Sequence, residues 1–220
     1  MSTIKADAVT AISTDGSITV KGAGSGVVKL GDGELKFPDA DGTSGHFIKT
    51  DGSAQLSFSA VGGGFTLGTE QATTSGSALT FSSIPTGVTR IIISLASIST
   101  DNQNTLVVAI GDSGGLETSG YINDVWEFTD GGNTAAQTAT TSAFGVMANQ
   151  AGDAEVFNGQ IALALEDSSG FTWTCIGQIL GDADYAYWSS GTKSLTAELT
   201  QFRLTASGAF DAGAVNIMYQ

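Results

Sequence analysis

Between Thr89 and Tyr121 the chain reads TRIIISLASISTDNQNTLVVAIGDSGGLETSGY, and this run limits the fold more than any other stretch. Ile91, Ile92, Ile93, Leu95 and Ile98 form a β-branched apolar block, too short and too rich in strand formers for a helix. Asp101 to Asn104 supply a polar turn, after which Leu106, Val108 and Ile110 alternate with Val107 and Ala109 up to Gly111. The pattern predicts two strands and a connection. The first strand is apolar on both faces and is expected to lie centrally between two layers rather than on a solvated edge.

The same grammar continues to the C-terminus. Strands are expected near 78–82, 89–98, 104–111, 120–128, 137–147, 155–166, 170–180, 194–206 and 213–219, separated by Gly, Asp, Asn and Ser turns. Charged residues make up only 14% of the chain while Gly reaches 30, a palette of short strands and tight turns rather than helices. The one helix candidate, AAQTATTSA at 135–143, has no apolar stripe and too many threonines. An all-β, jelly-roll-like antiparallel sandwich over 69–220 is the expected fold of this part.

GDSGG at 111–115 is also the nucleophile motif of chymotrypsin-like serine proteases, and the rest of the sequence argues against that use. A serine nucleophile needs an imidazole to take its proton and a carboxylate to orient the ring. The only histidine, His46, lies in the polar stretch SGHFIKTDG, 67 residues before Ser113, too few for a histidine-bearing barrel and the opening of a second. With one cysteine, no pocket disulfide can form. The motif is therefore expected to be a turn, and no catalytic residue is assigned.

Residues 1–60 are a different kind of object. Asp-Gly pairs recur at 15, 32, 41 and 51, with TDGS at both 14–17 and 50–53. Between them lie short alternating pieces, SITV, VVKL, ELKF and FI, each too short to bury its apolar side chains within one chain. Three chains wound about a common axis would bury them, with Ile18, Val20, Leu30, Leu35 and Phe37 between chains and the Asp-Gly turns outside. A thin trimeric β stalk over 1–60 is the expectation. VGGGFTLG, 61–68, is expected to be a hinge, because three successive glycines carry nothing to pack.

DGTSGHFIKTDGSAQLSF, residues 41–58, resembles the stalk motif that joins a thin N-terminal segment to a distal β domain in fibre and appendage proteins of tailed bacteriophages. The opening Met1 to Val9, the segments TFSSIPTGVTRIIISLASIST and LVVAIGDSGGLETSGY, and the ending AVNIMYQ are similar to such proteins as well. His46 stands where a polar amide is common in the motif. The resemblance implies a structural virion protein, a short homotrimeric tail fibre or head-decoration spike, assembled in the host cytoplasm. Its N-terminus would hold other virion proteins and its sandwich would face the host surface. The rival expectation is a monomeric carbohydrate-binding β-sandwich module of a surface or secreted protein, and a hydrolase ranks third.

Charge narrows the partners. Residues 1–60 carry seven acids against five lysines, whereas the remainder sets fifteen acids against Arg90, Lys193 and Arg203, so most of the net −14 lies there. An acidic surface repels phosphate backbones, so no nucleic acid is expected. No apolar run reaches the length of a membrane span and MSTIKADAV lacks the apolar core of a signal peptide, so neither insertion nor export is expected. Cys175, in FTWTCIGQIL, should be a buried strand residue.

Possible chemistry is sparse. Asp32, Glu34, Asp39 and Asp41 cluster in GDGELKFPDADG, but the order of an EF-hand loop is not met, and no metal or cofactor is expected. Glu166, Asp167, Asp182 and Asp184 are expected on turns rather than as a glycosidase pair. GDADYAYWSSG, 181–191, is expected to be a loop in which Tyr185, Tyr187 and Trp188 either stack on a host-surface glycan while Asp182 and Asp184 accept its hydroxyls, or anchor a subunit interface or the sandwich core. Trp126 and Trp173, inside strand patterns, are expected in the core.

Overall fold

Alternating apolar residues fold as strands throughout, and the described residues contain no helix. The computed structural model describes residues 29–30, 35–38, 42–53, 55–60, 64–101, 105–129, 140–148, 156–181 and 185–220, with 29–30 and 35–36 as backbone only. The chain divides into two units, Met1–Gly64 and Phe65–Gln220.

In the first unit β1 (Lys29–Leu30) pairs antiparallel with β2 (Leu35–Lys36), so Leu30 and Leu35 are direct partners. β3 (His46–Thr50) and β4 (Leu56–Ala60) form a second antiparallel hairpin. Its turn is the second TDGS: Asp51 Oδ1 accepts from the backbone N–H of Ser53 (2.7 Å) and of Gln55 (3.1 Å). A short side chain folding back on its own backbone is what makes Asp a turn former. Phe37 is half-buried, and Ile18 and Val20 lie outside the described residues.

The second unit contains β5 (Thr66–Leu67), β6 (Gln71–Ala72), β7 (Ala78–Ser82), β8 (Arg90–Thr100), β9 (Leu106–Asp112), β10 (Gly115–Leu116) and β11 (Ile122–Thr129). After them come β12 (Phe144–Met147), β13 (Phe157–Asp167), β14 (Thr172–Leu180), β15 (Tyr185–Ser194), β16 (Gln201–Ala206) and β17 (Phe210–Tyr219). They build two antiparallel sheets. The larger runs β11-β15-β14-β13-β8-β17, with β5 and β6 end to end along the outer side of β17. The smaller runs β7-β16-β9, with β12 and β10 along the other side of β9.

The facing sides of the two sheets share one core, as in a β-sandwich. Ile91, Ile93 and Leu95 of β8, Ile161 and Leu163 of β13, and Trp173 and Cys175 of β14 come from the larger sheet. Val108 and Ile110 of β9, Phe144 of β12, and Phe202 and Leu204 of β16 meet them from the smaller one. Phe81 stacks on Phe202 at 5.0 Å, and Tyr121 meets Phe144 edge to face at 4.9 Å. β8 is central, paired to β13 and β17, but Ile92 faces outward and is only half-buried. An apolar triplet in a strand therefore does not require two covered faces here.

Several expectations are corrected. The boundary between the two units, Gly64 to Phe65, falls within the hinge expected over 61–68, but the last part of that stretch belongs to the sheet edge, because β5 pairs with β17 and the Gly68 N–H donates to the Ile217 carbonyl at 2.7 Å. The strand expected over 194–206 begins only at Gln201, after a loop that buries Leu195 and Leu199. The strand expected over 137–147 is described as strand only from Phe144. The loop expected at 181–191 is largely β15, an inner strand of the larger sheet.

GDSGG is a tight hairpin between β9 and β10. Gly111 is required there because a Cβ would strike the Gly115 carbonyl across the ladder. Tyr121, fully buried, pins the same hairpin: its hydroxyl accepts from the Ile110 N–H at 2.9 Å and lies 3.1 Å from the Ile110 carbonyl. A second constrained glycine, Gly213 at φ 95°, passes the bulge at Ser97, whose own φ is 50°. Any Cβ there would meet the Ser97 carbonyl in a backbone region that disfavours side chains.

Candidate binding face

Alternation along β11, β14 and β15 sends every second side chain away from the core, and that outer set is unusually apolar. Ile122, Trp126 and Phe128 of β11, Ile176 and Leu180 of β14, and Trp188 of β15 are all exposed. Scattered exposed apolar residues mean little, but a contiguous patch marks a contact surface. Trp126, Phe128, Ile176 and Trp188 lie together. Trp126 and Trp188 are direct cross-strand partners, Gln178 is the partner of Trp188 on the other side, and Ile176 is the partner of Ser190.

The two indoles lie on one face because antiparallel partners project to the same side. Phe128 packs edge to face on Trp188, ring centroids 5.9 Å apart and planes 68° apart, which restrains the indole without covering it. Beside them a groove of about 310 Å³ is lined by Asp124, Trp126, Ile176, Gln178, Trp188 and Ser190. Such a site offers aromatic faces, amide and hydroxyl groups and one carboxylate.

The residues expected to bind ligand are divided by the fold. Of the two roles open to Tyr187, site or core, it takes the core: it is completely buried, because position 187 faces inward on β15 while 188 faces outward. Tyr185 is partly buried against the core. Trp188 alone of the aromatic trio is presented to solvent, and Asp182 and Asp184 lie outside the described residues. Trp126, expected in the core, is 43% exposed, whereas Trp173 is buried as expected. Sequence reasoning missed Trp126 and Gln178 as neighbours of Trp188, since nothing local says that β11 and β14 flank β15.

Elsewhere the described polar groups bond within their own turns and to neighbouring segments. Asp112 of the GDSGG turn is buried, and hydrogen bonds from the Thr196 side chain and the Gly114 N–H hold its carboxyl below the usual range against the opposing effect of burial. Ser113 is exposed at the hairpin tip. Lys193, inward-facing on β15, pairs with Glu117 at 3.0 Å and sits 5.5 Å from the Tyr121 ring centroid. Asp167 caps its own turn through Ser169 and Gly170, which lowers its carboxyl. Among the described residues, no group of three or more His, Cys, Asp or Glu is placed to hold a metal. Asp32, Glu34, Asp39 and Asp41 lie outside them. No described helix is long and apolar enough to cross a membrane.

Comparison with family models, curated proteins and solved structures gives no match for this chain.

Proposed function

We propose that this protein is a structural virion component, a short homotrimeric phage fibre or head-decoration spike that attaches to a host surface through its C-terminal sandwich. The observation that carries the reading is on β3. Phe47 and Ile48, adjacent and so on opposite faces of the strand, are 44% and 45% exposed, within the very segment that resembles the fibre stalk motif. One chain leaves both uncovered, and copies packed about an axis would bury them.

In this reading the N-terminal unit supplies assembly and contact with other virion proteins, and the second unit is the distal head. Its wiring suits a jelly-roll variant. β7, β9, β12 and β16 go to one sheet while the intervening β8, β11, β13 and β17 go to the other, with β14 and β15 added as a meander. Three heads on one stalk multiply a weak contact by avidity. Sedimentation of the full chain tests the reading: a trimer at micromolar concentration is expected, and a monomer would retire the stalk.

A second reading, the monomeric carbohydrate-binding module, is favoured by one observation, the paired exposed indoles of Trp126 and Trp188, which can work without any oligomer. The same sedimentation experiment separates the two.

A further inference from the structure

We propose that the outer face of the larger sheet binds a neutral oligosaccharide laid across the strands, along the row Trp126, Trp188, Gln178, Gln160, Ser94, Asn216. The row is read directly from the pairing. Trp126 partners Trp188, Trp188 partners Gln178, Gln178 partners Gln160, Gln160 partners Ser94, and Ser94 partners Asn216. Direct antiparallel partners share a face, so all six side chains line one side of six successive strands. Five strand spacings span about 24 Å, the length of an extended chain of about four or five sugar rings.

The chemistry along the row changes from one end to the other. At the β11 end two exposed indoles offer flat apolar surface to the C–H faces of a pyranose ring. From β14 onward the row offers amides and a hydroxyl, groups that both donate and accept, as sugar hydroxyls do. Gln178 and Gln160 are exposed, and Ser94 and Asn216 half-exposed. The neighbouring register runs Asp124, Ser190, Ile176 and Ala162, so the exposed Ile176 stands beside the row between two short side chains.

Charge selects among ligands. The row holds no cation to neutralise a phosphate, a sulfate or a sugar acid, and the chain as a whole carries −14. A neutral polyhydroxyl ligand meets no repulsion. A second copy of the chain laid along the row would cover the indoles equally well, but it would also have to desolvate the three amides and the Ser94 hydroxyl beyond them and re-pair each one. A sugar exchanges those hydrogen bonds with water one for one.

The inference rests on the attachment reading only for the source of the sugar, because the same row would serve a carbohydrate-binding module. The test titrates the full chain with neutral oligosaccharides of two to six rings, in glucose, xylose, galactose, mannose and N-acetylglucosamine series, followed by calorimetry and tryptophan fluorescence. At least one series is expected to bind, to perturb the fluorescence, and to gain affinity with length until about four or five rings fill the row. Trp188→Ala should lower that affinity more than tenfold with the melting temperature retained. Gln160→Ala should weaken the longer oligomers several-fold and leave the disaccharide unchanged. Absence of binding in every series at millimolar ligand, or affinity indifferent to length, overturns the proposal. If Trp188→Ala alters the sedimentation coefficient instead, the face is a contact between copies and the proposal falls. Attachment of the protein to host cells that persists while every oligosaccharide fails would remove the sugar and leave the attachment reading standing.

Discussion

Asp112 and Thr196 are joined by two hydrogen bonds: the Thr196 hydroxyl and backbone N–H donate to the same carboxylate oxygen, at 2.6 and 3.2 Å. They tie the β9–β10 hairpin to the loop entering β16. The Gln201 amide adds a bond to the Asp112 carbonyl at 3.1 Å. Asp112→Ala is expected to cost about 2 kcal/mol, measured by denaturant unfolding, because the part-buried Thr196 and Gly114 donors lose a charged acceptor.

The same pair sets a pH dependence. The Asp112 carboxyl is lower in the folded protein than in the unfolded chain, chiefly through the Thr196 hydroxyl. Folding therefore favours the ionised form, and the stabilisation is complete above the unfolded value of about 4. It is lost as pH falls through the lowered folded value. Asp112→Asn should flatten this part of the acid limb of stability, and an unchanged acid limb would contradict the assignment.

Tyr187 and Trp188 are neighbours with opposite fates. Tyr187→Ala removes a fully buried side chain and should cost about 3–5 kcal/mol. Trp188→Ala, at a side chain 58% exposed, should change stability by about 1 kcal/mol or less. Thermal unfolding of the two variants side by side checks the strand's orientation, and equal losses would reverse it.

The Cys175 thiol is pushed up to about 12 by burial. The native protein should therefore resist a thiol-specific reagent at pH 8 and react fully once denatured. Rapid native labelling would mean that β14 opens locally.

Ser113 sits at an exposed hairpin tip. Ser113→Ala should leave stability within about 0.5 kcal/mol of the parent. Neither form should be labelled by a serine-reactive fluorophosphonate, and covalent labelling of Ser113 would favour the hydrolase reading.

Local alternation made β8, β9, β13, β14 and β17 legible, since apolar periodicity of two reports a strand wherever one face meets a core. It failed on β15. There the inward positions after Tyr187 are Ser189, Gly191 and Lys193, which read as a loop. Lys193 can face inward because Glu117, 76 residues earlier, pairs with it and the Tyr121 ring flanks it. Gly191 is needed because a Cβ would collide with Asn123 and Ile122 of the adjacent strand. Both reasons are contacts between distant segments, invisible to a window of neighbours.

The chain's own order of residues determined that this protein is built of strands, that GDSGG is a turn, and that Cys175 is buried, because each follows from propensity and periodicity over a few residues. Tertiary structure decided which aromatic residues are available. Trp126 and Trp188 became partners, and Tyr187 became core, only when β11 and β14 took their places on either side of β15. The two sides of a strand are alike until one of them meets a second sheet, and the sequence of the strand does not say which side that will be.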